Sequence, residues 1–169
     1  MTKDNVLFSI AILLLLVALG FATSGIQIIM PRPPAEVAFK SYHGRYVTAK
    51  GEEDGWALRQ DTELGRCGRF TQHYLANGRV ALKTCYGRYV TAPMSCNTRQ
   101  ECMLGQESRL GKCGQFDLYD LGENRLALKT CAGYFLTPGN DTWGHELEWS
   151  VVGETRIMKD WEVFAVLQH

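Results

Sequence analysis

Beyond residue 36 the apolar positions alternate over short stretches and nowhere recur at helical spacing over a useful length, a pattern that predicts strands. The stretch VALKTCYGRYVTA (80–92) nearly repeats VAFKSYHGRYVTA (37–49) and returns as LALKTCAGYFLTP (126–138), at spacings of 43 and 46 residues. The agreement continues: WALRQDTELGRCGRF from Trp56 matches CMLGQESRLGKCGQF from Cys102, and a worn third copy, WSVVGETRIMKDWEVF, begins at Trp149. Self-similarity at a fixed period is the signature of a repeat architecture. The apolar positions Val37, Phe39, Tyr46, Leu58 and Phe70 correspond to Val80, Leu82, Tyr89, Leu104 and Phe116, and again to Leu126, Leu128, Phe135, Val151 and Phe164.

Each copy (37–79, 80–125, 126–169) holds four strand-like runs, seen as VALKT, GRYVTA, the run around WALRQ, and GRFTQHYL. LANGR (75–79) and LGENR (121–125) read as the turns joining one copy to the next, and Asn77-Gly78 predicts a primed hairpin turn. Twelve strands in three units leave open edges unless they close. The chain starts on a copy of the first strand, 37–41, and finishes on a copy of the fourth, 164–168. The third seam must therefore be assembled from the two ends of the domain. The closed threefold solution is the β-trefoil. The G-R-Y-V-T-A phrase after an L-K-x-x-x strand resembles the repeat of fascin-like β-trefoil domains, over residues 37–169. That resemblance implies an all-β trefoil that binds or scaffolds rather than catalyses; it carries over none of fascin's actin-contacting residues.

Six cysteines lie between Cys67 and Cys131. Cys67 and Cys85 stand nine residues either side of Ala76, and Cys113 and Cys131 nine either side of Gly122. Equal distances from a turn place residues opposite one another on an antiparallel pair, which predicts disulfides Cys67–Cys85 and Cys113–Cys131. Cys96 and Cys102 remain and are expected to close a short loop. In the first copy Tyr42 replaces the second cysteine, and Asp160 or Trp161 the first, so an aromatic pair is expected at the third seam. No C-x-x-C occurs and no histidine sits at ligand spacing from a cysteine, which argues against zinc; no metal is expected. Structural disulfides imply an oxidising, extracytoplasmic setting.

Residues 6–22, VLFSIAILLLLVALGFA, carry no charge, and the uncharged run continues to Met30, 25 residues in all. A cleaved secretory signal, with Ala18, Gly20 and Ala22 near the cut, and a retained span both suit this stretch; its length favours a transmembrane helix over residues 1–30. PRPPAE (31–36) follows as a stiff linker. The expectation is a single-pass membrane protein, lodged in the lipid bilayer through this helix, with its β-trefoil periplasmic or extracellular. Its function is then a non-catalytic scaffold, an accessory subunit of a larger membrane complex of energy-transducing or secretion type. The alternative is a carbohydrate-binding module at the cell surface, with glycan as its partner.

Setting aside Lys3 and Asp4, the chain holds 17 Lys plus Arg and 17 Asp plus Glu, so no basic stripe invites nucleic acid. His43, His73, His145 and His169 fall at unrelated repeat positions, and no catalytic motif or phosphate loop occurs. No catalytic residue and no cofactor are expected. The Q-x-W phrase of ricin-related lectin trefoils is absent too. The copies diverge most in the loops after GRYVTA: AKGEEDG, APMSCNTRQE and PGNDTWGHELE. A repeat keeps what folding demands and frees the rest, so binding is expected there. Trp143 and His145 in the third loop, and Asn97 and Arg99 in the second, are the candidate binding residues; folding of Trp143 back over the barrel is the competing reading. Asn140-Asp141-Thr142 is a glycosylation sequon.

Overall fold

The first copy folds as β1 (Ala35–Lys40), β2 (Tyr46–Ala49), β3 (Leu58–Asp61) and β4 (Arg69–Tyr74). The second forms β5 (Val80–Lys83), β6 (Tyr89–Thr91), β7 (Gly105–Glu107) and β8 (Asp117–Gly122), and the third β9 (Arg125–Lys129), β10 (Phe135–Pro138), β11 (Val151–Thr155) and β12 (Phe164–Gln168). The structure, a computed structural model, describes residues 32–95, 97–144 and 148–168.

Six strands make a barrel in the order β1, β4, β5, β8, β9, β12 and back to β1. Three equivalent pairs tie the first strand of each copy to its fourth: Val37 with Phe70, Val80 with Phe116, and Leu126 with Phe164. The seam between the ends is a four-pair ladder, Val37–Gln168 to Lys40–Ala165. Hairpins β2–β3, β6–β7 and β10–β11 cap one end. They meet at the pseudo-threefold axis, where the Leu58 amide donates to the Leu104 carbonyl and the Leu104 amide to that of Val151 (3.1 and 3.0 Å). This is an all-β, trefoil-like topology.

The alternation dictates the core. Phe70, Phe116 and Phe164 are fully buried, and Val47, Leu58, Val80, Leu104 and Val151 pack with them. The void left among Phe39, Phe70, Phe164 and their neighbours is about 10 Å³ and lined by apolar side chains, so the core is close-packed. Two buried glutamines brace the caps from equivalent positions: Gln60 donates to the Gly139 carbonyl (2.8 Å) and Gln106 to that of Lys50 (2.8 Å).

The expected transmembrane helix requires correction. Among the described residues no helix is long and apolar enough to cross a membrane; their only helices are single 3-10 turns. Residues 1–30, where that helix falls, lie outside the described residues. The bilayer contact, the single-pass location and the role as a membrane-complex subunit all rest on that helix and are withdrawn with it.

The turns also depart from expectation. At 75–79 only Gly78 has positive φ (80°), with the Leu75 amide bonded to the Arg79 carbonyl (2.8 Å) and the Gly78 amide to that of Leu75 (3.0 Å). That is a turn followed by a glycine bulge, not a primed turn. Asn77 instead accepts from the Arg79 amide (3.1 Å) through its side chain. The primed geometry appears at Glu123 and Asn124, with φ of 53° and 56°, directly after Gly122 at 74°. A glutamate in this region is disfavoured, so Glu123→Gly is expected to raise stability by about 1 kcal/mol. Urea denaturation checks it; a lower midpoint refutes it. The Glu123–Arg125 ion pair lost in the exchange is exposed and contributes little.

Disulfides Cys67–Cys85 and Cys113–Cys131 each close with Cα atoms 5.0 Å apart. The ladder is centred one residue later than the equal-distance argument assumes, since Tyr74 faces Val80 and Thr71 faces Lys83. Strand pairing alone would set Cys67 against Gly87. The 3-10 turns Arg66–Gly68 and Lys112–Gly114 end the ladders and bring the cysteines together instead. Gly68 permits this: a Cβ there would stand 3.3 Å from the Val47 carbonyl and 2.9 Å from the Leu64 side chain. Cys102 is disulfide-bonded; Cys96 lies outside the described residues. At the third seam the rings of Tyr42 and Trp161 stack, 6.0 Å apart at an interplanar angle of 10°.

Candidate functional site

The loop after β10 turns on Asn140, whose side-chain oxygen accepts from the Thr142 amide (3.1 Å) and hydroxyl (2.7 Å). Trp143, the next residue, is half-buried. The facing loop, from the second copy, is wound by the Cys102 amide bonding back to the Thr98 and Arg99 carbonyls (both 3.1 Å). Arg99 leaves that turn, lays its guanidinium 4.4 Å from the centroid of the Trp143 ring and bonds Glu154 (2.6 Å). The indole is thereby fixed between copies by a cation over its face.

Trp143 and Arg99 line an open cleft of about 570 Å³ together with Glu154, Lys159, Trp161 and Glu162. Glu162 is the cleft's buried carboxylate, 4% exposed; it accepts from the Thr137 hydroxyl (3.0 Å) and from the Lys159 amide (2.8 Å). Trp161 is backed by its stack on Tyr42 and by the edge of His43 (5.6 Å). The site thus combines two indoles with carboxylate, hydroxyl and ammonium groups at fixed places. Such a surface offers flat apolar contact beside hydrogen-bonding groups of both kinds.

Of the four residues expected from sequence, the structure brings Trp143 and Arg99 together. Asn97 is exposed, donates its backbone N–H to the Glu101 carboxylate (2.7 Å), and does not line the cleft. His145 lies outside the described residues. Trp161 and Glu162 escape a reading that looks only in the divergent loops, because they sit in a 3-10 turn of the repeat itself. The signal for Trp161 was its occupation of a missing cysteine's place. Among the described residues no cluster of His, Cys, Asp and Glu could hold a metal.

No family model matches this chain, and no curated protein matches it. Solved structures do. ThreeFoil, a designed 3-fold symmetric protein, superposes at a TM-score of 0.65 with 17% identity, over 78% of this chain and 97% of its own. The BEL β-trefoil gives 0.61 at 14% identity, covering 84% and 98%. SeviL, solved bound to asialo-GM1 saccharide, gives 0.60 at 6% identity, covering 80% and 98%. These likenesses show the trefoil fold and leave the narrower fascin-like resemblance without a family behind it.

Proposed function

We propose that this domain is a carbohydrate-binding module and that the saccharide occupies the cleft between Trp143 and Trp161. One observation carries the reading: Trp143 is held in place before any ligand arrives, by Arg99 over its ring and Glu154 behind Arg99. Pre-ordering an aromatic contact removes part of the entropic cost of binding. A sugar ring has an apolar C–H face suited to an indole, and hydroxyls suited to Glu162, Glu154 and Lys159 on the same cleft. The likeness to SeviL, solved with a saccharide, supports the reading.

A glycan array followed by calorimetry on the best hit tests it. Saturable binding is expected, weakened at least about tenfold by Trp143→Ala, the loss typical of a central aromatic contact. Arg99→Ala should weaken it less while leaving thermal stability nearly unchanged, because both partners of its ion pair are partly exposed. No saturable glycan, or a hit indifferent to Trp143→Ala, rejects the proposal.

A further inference from the structure

On the barrel wall, a second cleft of about 290 Å³ opens over the seam where β1, β12 and β9 run side by side, lined by Lys40, Ser41, Tyr42, Arg125, Asp160 and Ala165. Its composition follows from lateral register. Lys40 pairs with Ala165, and Ala165 with Arg125, so the three stand in one row across adjacent strands. At about 4.8 Å between strands, the two cations sit about 10 Å apart at Cα with only a methyl group between them.

The other two seams give an internal comparison. The equivalent row between β9 and β5 reads Lys129, Asp117, Arg79: Asp117 faces Lys129, and Arg79 holds its carboxylate with two bonds (2.7 and 3.4 Å). The equivalent row between β5 and β1 reads Lys83, Thr71, Glu36. There the flanking position is itself a carboxylate, paired with Arg69 (3.2 Å). Each of these rows carries its own anion. In the row at the chain ends that carboxylate is missing and a cleft lies in its place. Lys40 has no ion pair with any described residue, as is true of Lys83 and Lys129 at the equivalent places, and all three ammonium groups lie over a ring of the next strand (Tyr46, Tyr89 and Phe135, at 5.4, 5.7 and 5.1 Å), so the difference between the rows lies in the missing carboxylate. Among the described residues Arg125 pairs only with the exposed Glu123 (3.2 Å). Asp160 is the one carboxylate lining the cleft and is exposed. The Ser41 hydroxyl is buried without a partner among the described residues, as is that of Thr84 at the equivalent place in the second copy.

From this we infer that the row Lys40, Ala165, Arg125 is a binding site for an oxyanion, a carboxylate or sulfate group of a ligand, seated where the Asp117 carboxylate sits in the neighbouring row. Arg125 supplies the planar fork that matches two oxygens, and Lys40 a point charge from the other side. The site shares no residue with the Trp143 cleft, from which the Tyr42–Trp161 stack separates it, and it stands or falls independently of that cleft's ligand.

The test is an NMR titration of the labelled protein with sodium sulfate at ionic strength held constant with chloride. A sulfated disaccharide and an unsulfated disaccharide bearing a uronic acid follow as separate arms. Saturable shifts are expected at the amides around Lys40, Ala165 and Arg125. They should weaken about tenfold in Arg125→Gln, which loses a charge-assisted contact, and vanish in Ala165→Asp, which fills the row with its own carboxylate. Retained melting temperatures show that both variants are folded. Whichever saccharide saturates names the group the site takes. Shifts that stay linear with sulfate and with both saccharides overturn the inference, as does unchanged affinity in Ala165→Asp.

Discussion

Phe116→Ala is expected to destabilise the domain by about 3 to 5 kcal/mol, the range for deleting a buried phenylalanine ring. Its side chain is fully buried, and its backbone closes the barrel. The seams β1–β4 and β9–β12 have ladders of four and two pairs. Between β5 and β8 closure rests on the mutual bonds of Val80 and Phe116 (2.9 and 2.8 Å). The substitution empties the core at the seam with the fewest pairs. Phe70→Ala and Phe164→Ala form the comparison, because Phe39 packs against both of those rings, at 5.7 and 6.2 Å, and each loses an aromatic contact of about 0.5 to 1.5 kcal/mol besides its cavity. Urea denaturation of the three variants decides the matter. A loss under about 1 kcal/mol for Phe116→Ala would mean that its ring is not packed in the core.

Removing the disulfide Cys67–Cys85 is the second large effect. The residues are 18 apart in sequence, and a loop of that length constrains the unfolded chain by about 3 kcal/mol in the chain-entropy model. Cys113–Cys131 has the same separation. Loss of both approaches the whole stability of a small domain, about 5 to 15 kcal/mol, so a fully reduced sample is expected to be largely unfolded at moderate urea. The double variant Cys67→Ala/Cys85→Ala measures one bridge alone. Equal midpoints with and without reductant would refute the claim. The Tyr42–Trp161 stack survives reduction, so the seam at the chain ends should be the last of the three to lose its staple.

The repeated core was readable because burial leaves little freedom. A strand that packs on three others in a closed barrel must present Val37, Val80 or Leu126 at the same place, and the three copies show that directly. The missing cysteine at Tyr42 was readable for the same reason, since a gap in a repeat points to its substitute. Turn geometry was harder. Asn77-Gly78 has the composition of a primed turn but folds as a bulge, whereas Glu123-Asn124 lacks glycine and adopts the primed form. Ladder register on either side imposes these shapes, and local composition does not reveal it. The Trp143 cleft was half readable: its loops stood out by divergence, but the contact of Arg99 with Trp143 spans two copies. The row Lys40, Ala165, Arg125 joins a residue of the first copy, the last residue of the second and one near the end of the third, so nothing nearby in the chain signals it.

The ladder between β1 and β12 makes the starting point of the chain a matter of indifference to the barrel. Linking residue 168 to residue 35 through a short bridge and opening the chain at Gly78 would transcribe the three units in a rotated order. The rearranged gene should yield the same molecule, with its new ends at a turn on the barrel's rim.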